Sequence, residues 1–551
     1  MRQVFKFKSN QSLKRLASVM CILSLVIAGM FIYAPSPVSA VTTNFYVSTT
    51  GNDTTGIGTL ALPWATIQKA RDYIRTNSLN IGMTGDIVVN VKAGDYYVTS
   101  TIQFADTDSG SNGYSVIYKN QDAVGTARFI GGQQITSWTL HSGNVYKSNV
   151  GTSWQFYTLF DNGVRARTAR YPNYTYNSSF PLAQAPYLKT EGVNDSHTVL
   201  QYKIGDLNPT GWGLNDAQVL TWSGGSWNWF TDIIPFTSLN STTRQITFAA
   251  ANQSRYGLYQ AGVGSRYFVQ GVLSLLDAPG EFYLDRTAGY LYYWAKDGAI
   301  GSQTIVAPKV QKIISVAGAS ESVRAHHIQF DGLDFEVSEF TNWYRQAHVN
   351  NGDSGEGHTY PSYDRQMDLA PTRTGMVFLT NTDNITIKNS HFKNSGFSAI
   401  YMLFYNQNNT ISGNWIEHIG HTGIYLNGKY PSEGDVLKNN TLTNNLIHNV
   451  GELVGNGSGV YVVNSGSNEV SYSEIYNSPR YAVAFDAYVN IPLAAIYVEN
   501  NIFKNLKIHD TSQDSGDTSA IYAFGISNVS PYLSNTIQQV TIDNVYADPS
   551  M

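Results

Sequence analysis

The chain has one cysteine in 551 residues, Cys21, and it stands inside an uncharged, mostly apolar run from Leu16 to Ala34. A disulfide framework and a cysteine-ligated metal site are therefore excluded, so packing and hydrogen bonds must hold the fold. Charge is scarce too: Asp, Glu, Lys and Arg are 14% of residues, against about a quarter in ordinary soluble domains. Acids are absent from the first forty residues, where Arg2, Lys6, Lys8, Lys14 and Arg15 precede the apolar run and Val38-Ser39-Ala40 closes it. That pattern marks a secretory signal peptide over 1–40, with a retained membrane anchor as the alternative because the run is fairly long. Removing it takes five basic residues and no acidic one, leaving 30 Lys and Arg against 40 Asp and Glu and a net charge of −10 in place of −5. An acidic mature chain argues against a nucleic-acid partner. The expectation is a secreted or extracellular monomer with no stable membrane insertion after cleavage.

Tyr, Asn, Ser, Thr and Gly are abundant instead. Phe45-Tyr46-Val47-Ser48 reads as a strand, Gly51-Asn52-Asp53 as a turn, and Pro63 to Arg75 as a helix with Ala65, Ile67, Ala70 and Ile74 on one stripe. A lone amphipathic helix before a β-rich chain suits the cap of a solenoid. Residues 41–130 thus form the cap and first rungs, 131–312 lose the period and read as an inserted or accessory sandwich-like β-rich module, and 313–551 form the main rungs. The fold class is all-β: a right-handed parallel β-helix solenoid with an N-terminal capping helix.

The repeat carries that reading. Apolar pairs five residues apart recur at Phe330/Phe335, Ile387/Phe392, Ile411/Ile416, Leu442/Ile447, Val470/Ile475, Val498/Phe503 and Val540/Val545, with starts 24, 31, 28 and 28 residues apart between Ile387 and Val498. A second strand follows, centred on Ile400, Ile424, Val460, Val483 and Ile521. Three of the five intervals are 13 residues and the others 18 and 23, so extra residues fall at one corner, in 449–457 and 506–518, where insertions usually wall a binding face. The last pair is followed only by Ala547 to Met551, so a chain stopping in mid-rung is expected.

With each central residue pointing inward, its neighbours point outward. One outward column reads Ala399, Gly423, Gly459, Ala482, Ala520, and the other Tyr401, Tyr425, Tyr461, Ala484, Tyr522. Small residues beside a tyrosine ladder make a shallow groove on which sugar rings can stack; tyrosines packed under the corner loops are the bland alternative. His421 and Arg480 stand three residues before the central positions, Asn427 three residues after one, and Asp517, Asp514 and Asp486 bring carboxylates toward the groove. Glycoside hydrolysis needs two such acids, although Asp, Ser and Gly also favour turns. Glu417-His418 with His421 has metal-like spacing but lacks the helix to converge it, so no metal site is expected. Asn389, Asn409, Asn440, Asn468 and Asn501 recur near corners as a stabilising ladder.

Several segments resemble bacterial right-handed parallel β-helix glycoside hydrolases of families 141 and 120 and their uncharacterised relatives. They are Tyr46-Val47-Ser48 with Gly51-Asn52-Asp53 and Pro63 to Ile67; Asp161-Asn162-Gly163-Val164-Arg165 leading to Ala169-Arg170-Tyr171-Pro172-Asn173; Pro279-Gly280-Glu281-Phe282-Tyr283-Leu284-Asp285; and Asp517-Thr518-Ser519-Ala520-Ile521-Tyr522. The resemblance implies that Asp517 is one member of the catalytic pair, with Ser519 in place of the usual glycine. It also implies a second acid on a further groove strand, which an end in mid-rung would lack; Asp486 and Asp514 are the substitutes.

The leading reading is a secreted glycoside hydrolase that cleaves a plant or microbial polysaccharide with a carboxylate pair. Tyr401, Tyr425, Tyr461, Tyr522, His421, Arg480 and Asn427 would bind the sugar. A polysaccharide lyase acting on a uronate polymer is the runner-up, disfavoured by the acidic chain, and a non-catalytic glycan-binding surface protein is the third. No cofactor is expected beyond structural calcium at corner carboxylates such as Asp510 and Asp514.

Overall fold

The computed structural model describes residues 42–546 apart from 194, 250–259, 349–365, 431–432, 488–495, 517 and 525–532. Cys21, the 1–40 segment and Asp517 lie outside the described residues. Successive rungs contribute strands to each of three parallel sheets, which hold ten, nine and ten strands among the described residues. The first member of each apolar pair sits in the first sheet and the second in the second: Ile387, Ile411, Leu442 and Val470 stand in register, as do Phe392, Ile416, Ile447 and Ile475. The corner between them explains the five-residue spacing. Asn389, Gly413, Asn444, Tyr472, Asn505 and Gln539, each two residues after the first-sheet core residue, have left-handed backbone, which breaks the alternation and swings the chain onto the next sheet. Asn and Gly tolerate that conformation best.

The last two expected pairs slip. Val470 pairs with Phe503, not Val498, and Phe503 with Ile537, so the true pairs are Phe503/Ile508 and Ile537/Ile542. Counted from Phe503, the interval to Ile521 becomes 18 residues, the same as from Leu442 to Val460.

The helix, α1 (Ile67–Thr76), starts later than its apolar stripe suggests. The Thr66 hydroxyl accepts from the Lys69 amide, and Trp64 pairs with Val47 instead of joining the helix. Ile67, Ala70 and Ile74 are buried against the first rung. Inside the coil the apolar columns form one continuous core from Trp64 to Ala520. At the corner before the first sheet, each buried Asn of the series Asn409, Asn440, Asn468, Asn501 donates from Nδ2 to the Oδ1 of the next, ending on Asn535, at 2.9–3.2 Å. Asn389 is outside this ladder and donates to Asp331.

After Ala127–Ile130 the chain leaves the coil and returns at Ile314–Ala317, which pairs with Ile102–Ala105. In between it forms sheets that are antiparallel but for one strand pair, around two apolar cores. This module is held by the two extended corners of the coil. Asn456 Oδ1 accepts from the Thr231 amide at 3.1 Å, and Asp514 accepts from the Tyr187 hydroxyl at 2.6 Å and the Gln184 amide at 3.1 Å.

Candidate functional site

The third sheet carries the tyrosine ladder in the expected register, Tyr401, Tyr425, Tyr461, Ala484, Tyr522, extended by Phe378. It is not an open groove. Tyr401, Tyr425 and Tyr461 are buried, with successive ring centroids 4.8 and 5.0 Å apart, and with Tyr430 and Tyr481 form a second core outside the coil. Tyr522 is half-buried on Tyr481. The small-residue column also turns the other way: a Cβ on Gly459 would stand 2.4 Å from Ile475 Cγ2, and one on Gly423 2.8 Å from Ile447 Cγ2. These positions are small because the second sheet crowds them inside the corner.

The other expected site residues among the described ones are enclosed as well. Asn427 donates from Nδ2 to the Tyr401 hydroxyl at 2.9 Å, and Asp486 accepts from the Tyr461 hydroxyl at 2.7 Å; both are buried. His421 lies 3.4 Å from the Tyr344 hydroxyl and 3.9 Å from Asp368, and burial lowers its pKa. Arg480 donates from Nη1 to the Trp229 carbonyl at 2.7 Å, under the module. Asp514 is an anchor between module and coil, 2% exposed and also bonded by Arg266. Its neighbour Asp510 faces elsewhere, accepting from His509 and Tyr546. Glu417, His418 and His421 diverge toward His391, Glu452 and Asp368. Among the described residues no three His, Cys, Asp or Glu side chains converge as metal ligands.

Space for a ligand lies around the corner. A cavity of about 570 Å³ between module and coil is lined by Arg165, Arg167, Tyr174, Tyr176, Glu281 and Glu452, among others. Two of these, Arg165 and Glu281, come from the segments that carry the family resemblance. Asn162-Gly163, both with positive φ, make the two-residue turn of a hairpin pairing Phe160–Asp161 with Val164–Arg165. That turn sends Arg165 to the coil, where Nε donates to Glu452 Oε2 at 3.1 Å and Nη2 to the Ser395 and His418 carbonyls. Arg167 pairs in parallel with Glu281, the first residue of Glu281–Asp285. Glu452 stands on the extended corner, its amide held by the Ile419 carbonyl at 3.0 Å, and its Oε1 is 2.7 Å from His418 Nδ1.

The two carboxyls shift in opposite directions. Burial pushes Glu281 up to about 7, against the amides of Asp277 and Ala278 that bond its Oε2 at 3.2 Å. Burial also pulls Glu452 upward, but the hydrogen bond from His418 and the charges of His418 and Arg165 outweigh it and hold Glu452 below the usual carboxylate range. Arg167 lies between them electrostatically: burial lowers its pKa, while Glu452 and Glu281 each raise it. Its guanidinium stacks 3.2 Å over the Tyr174 ring, and Tyr176 is 64% exposed. Sequence reasoning missed Glu452 and Arg167, weighed His418 only as a metal ligand, and met Glu281 only inside a family-like segment. The only signal for Glu452 was the longer corner that carries it.

This architecture is a right-handed parallel β-helix: the model described as a right handed beta helix region matches residues 374–547. A solved structure described as a glycoside hydrolase is similar at a TM-score of 0.72 and 15% identity, over 92% of this chain and 88% of that one. The complex of XylC with xylose aligns over 85% of this chain and 64% of its own, at a TM-score of 0.38 and 12% identity. No curated protein matches the chain in sequence. At these identities the likeness is one of fold.

Proposed function

We propose that the protein is an exported glycoside hydrolase that cleaves a plant or microbial polysaccharide in the cavity between module and coil. One observation carries the reading: two carboxyls line a single cavity with their pKa values pushed apart, Glu281 up to about 7 and Glu452 down. Such a split separates an acid from a base. Glu281 keeps its proton to near neutrality and gives it to the leaving glycosidic oxygen. Glu452 stays ionised and supplies the second carboxylate, toward water or the anomeric carbon. Tyr176, exposed at the cavity, offers a ring face for the sugar. The fold likeness to a glycoside hydrolase supports this assignment, and the 1–40 segment supports export.

The test is reducing-end release from a panel of plant and microbial polysaccharides as a function of pH. Activity that declines above about pH 7, as Glu281 loses its proton, is the expected result. Unsaturated, ultraviolet-absorbing ends would make the protein a lyase, and binding without turnover across the panel would make it a glycan-binding protein.

A further inference from the structure

We infer that the cavity selects a saccharide bearing an oxyanion, a uronate carboxylate or a sulfate ester, and that Arg167 reads that group. The inference rests on the cavity being the saccharide site proposed above, but not on its being catalytic. The chain as a whole is acidic, with a net charge of −5, yet this cavity is not. Arg165, Arg167, Arg170 and Lys296 line it against Glu281 and Glu452, and Glu281 is half-protonated near neutrality. A low-dielectric cleft of one sign concentrates ligands of the other.

The four cations are not equally available. Arg170 is used by the fold, its nitrogens donating to the Pro172, Gln184 and Pro186 carbonyls at 2.9 Å. Arg165 is spent on Glu452 and two carbonyls, leaving Nη1 buried without a hydrogen bond. Arg167 makes one side-chain hydrogen bond among the described residues, from Nη1 to Gln184 Oε1 at 3.3 Å. Its Nε and Nη2 edge is therefore left for a ligand, while Tyr174 fixes the plane of the guanidinium. A planar fork held flat on a ring matches the two oxygens of a carboxylate or sulfate. Tyr176, lining the same cavity, can take the face of the sugar that carries the anion.

The experiment is calorimetric titration of the full chain with trigalacturonate, trimannuronate and a sulfated galactan trisaccharide, each beside its neutral counterpart (methyl ester or desulfated form). At least one charged probe should bind about tenfold more tightly than its neutral partner, the preference weakening with salt. Arg167→Gln should erase the preference and leave the weaker neutral binding, with Arg167→Lys in between because it keeps charge but loses the fork. Whether the carboxylate or the sulfate probes show the preference identifies the anion. Repeating the titration on Glu281→Gln separates this inference from the hydrolase reading: the charge preference should persist there even if turnover is lost. Charged probes binding no better than neutral ones, or an undiminished preference in a folded Arg167→Gln, would overturn the inference.

Discussion

Arg165 of the module donates from Nε to Glu452 Oε2 of the coil across 3.1 Å, with the two side chains only 11% and 17% exposed. This enclosed pair joins two parts of the chain 287 residues apart and fixes one carboxylate of the cavity. Glu452→Ala leaves the guanidinium buried beside His418 and is expected to destabilise the protein by about 3–5 kcal/mol, read as a shift in the urea transition. Changing Arg165 and Glu452 together to methionine should lose less than the two single changes added. The pH dependence follows from the shift: with the folded pKa depressed, this contribution is complete above the unfolded value of about 4.3 and fades as pH falls through the lower folded value.

His391 gives the opposite sign. Burial pulls its pKa down, but bonds to Asp334 and Glu417, at 3.4 and 3.1 Å, overcome it and bring the group to about 9. Its contribution is complete below the unfolded value of about 6.5 and is lost as pH rises through 9, a change on the order of 2–3 kcal/mol. Urea midpoints measured between pH 6 and 10 should show that decline, and His391→Gln should flatten it.

The asparagine ladder predicts a sharp positional contrast. Asn440 Oδ1 accepts from both the backbone and the side-chain nitrogen of Asn409, and its Nδ2 donates to Asn468. Asn440→Ala strands those groups in a buried corner and should lower stability by about 2–3 kcal/mol. Asn389→Ala, off the ladder, should cost under about 1 kcal/mol, with thermal unfolding as the readout.

The coil was legible in the sequence because parallel stacking places like residues on like: Ile387, Ile411, Leu442 and Val470 needed only their period. The period failed where it was degenerate. Val498, Phe503 and Ile508 are three apolar residues at five-residue steps, and either neighbouring pair fits until Val470 is seen to meet Phe503. Alternation also placed Tyr401, Tyr425 and Tyr461 correctly on the outer face, but it sees only neighbouring rungs. Their burial depends on distant segments, as in the 2.8 Å bond from Arg373 to the Tyr430 hydroxyl beside them and the 2.8 Å bond from the Tyr344 hydroxyl to Asp368. The cavity was illegible for the same reason. Arg165, Glu281 and Glu452 are far apart in sequence, and what joins them is the docking of module on coil.

The most direct measurement is kcat/KM on the best substrate of the polysaccharide panel for wild type, Glu281→Gln, Glu452→Gln, Asp486→Asn and Asp517→Asn. Losses of about 100-fold or more are expected for Glu281→Gln and Glu452→Gln, with the decline near pH 7 removed in the former, and changes within about threefold for Asp486→Asn and Asp517→Asn. Activity retained by Glu281→Gln and abolished by Asp517→Asn would contradict this expectation and move the chemistry to Asp517.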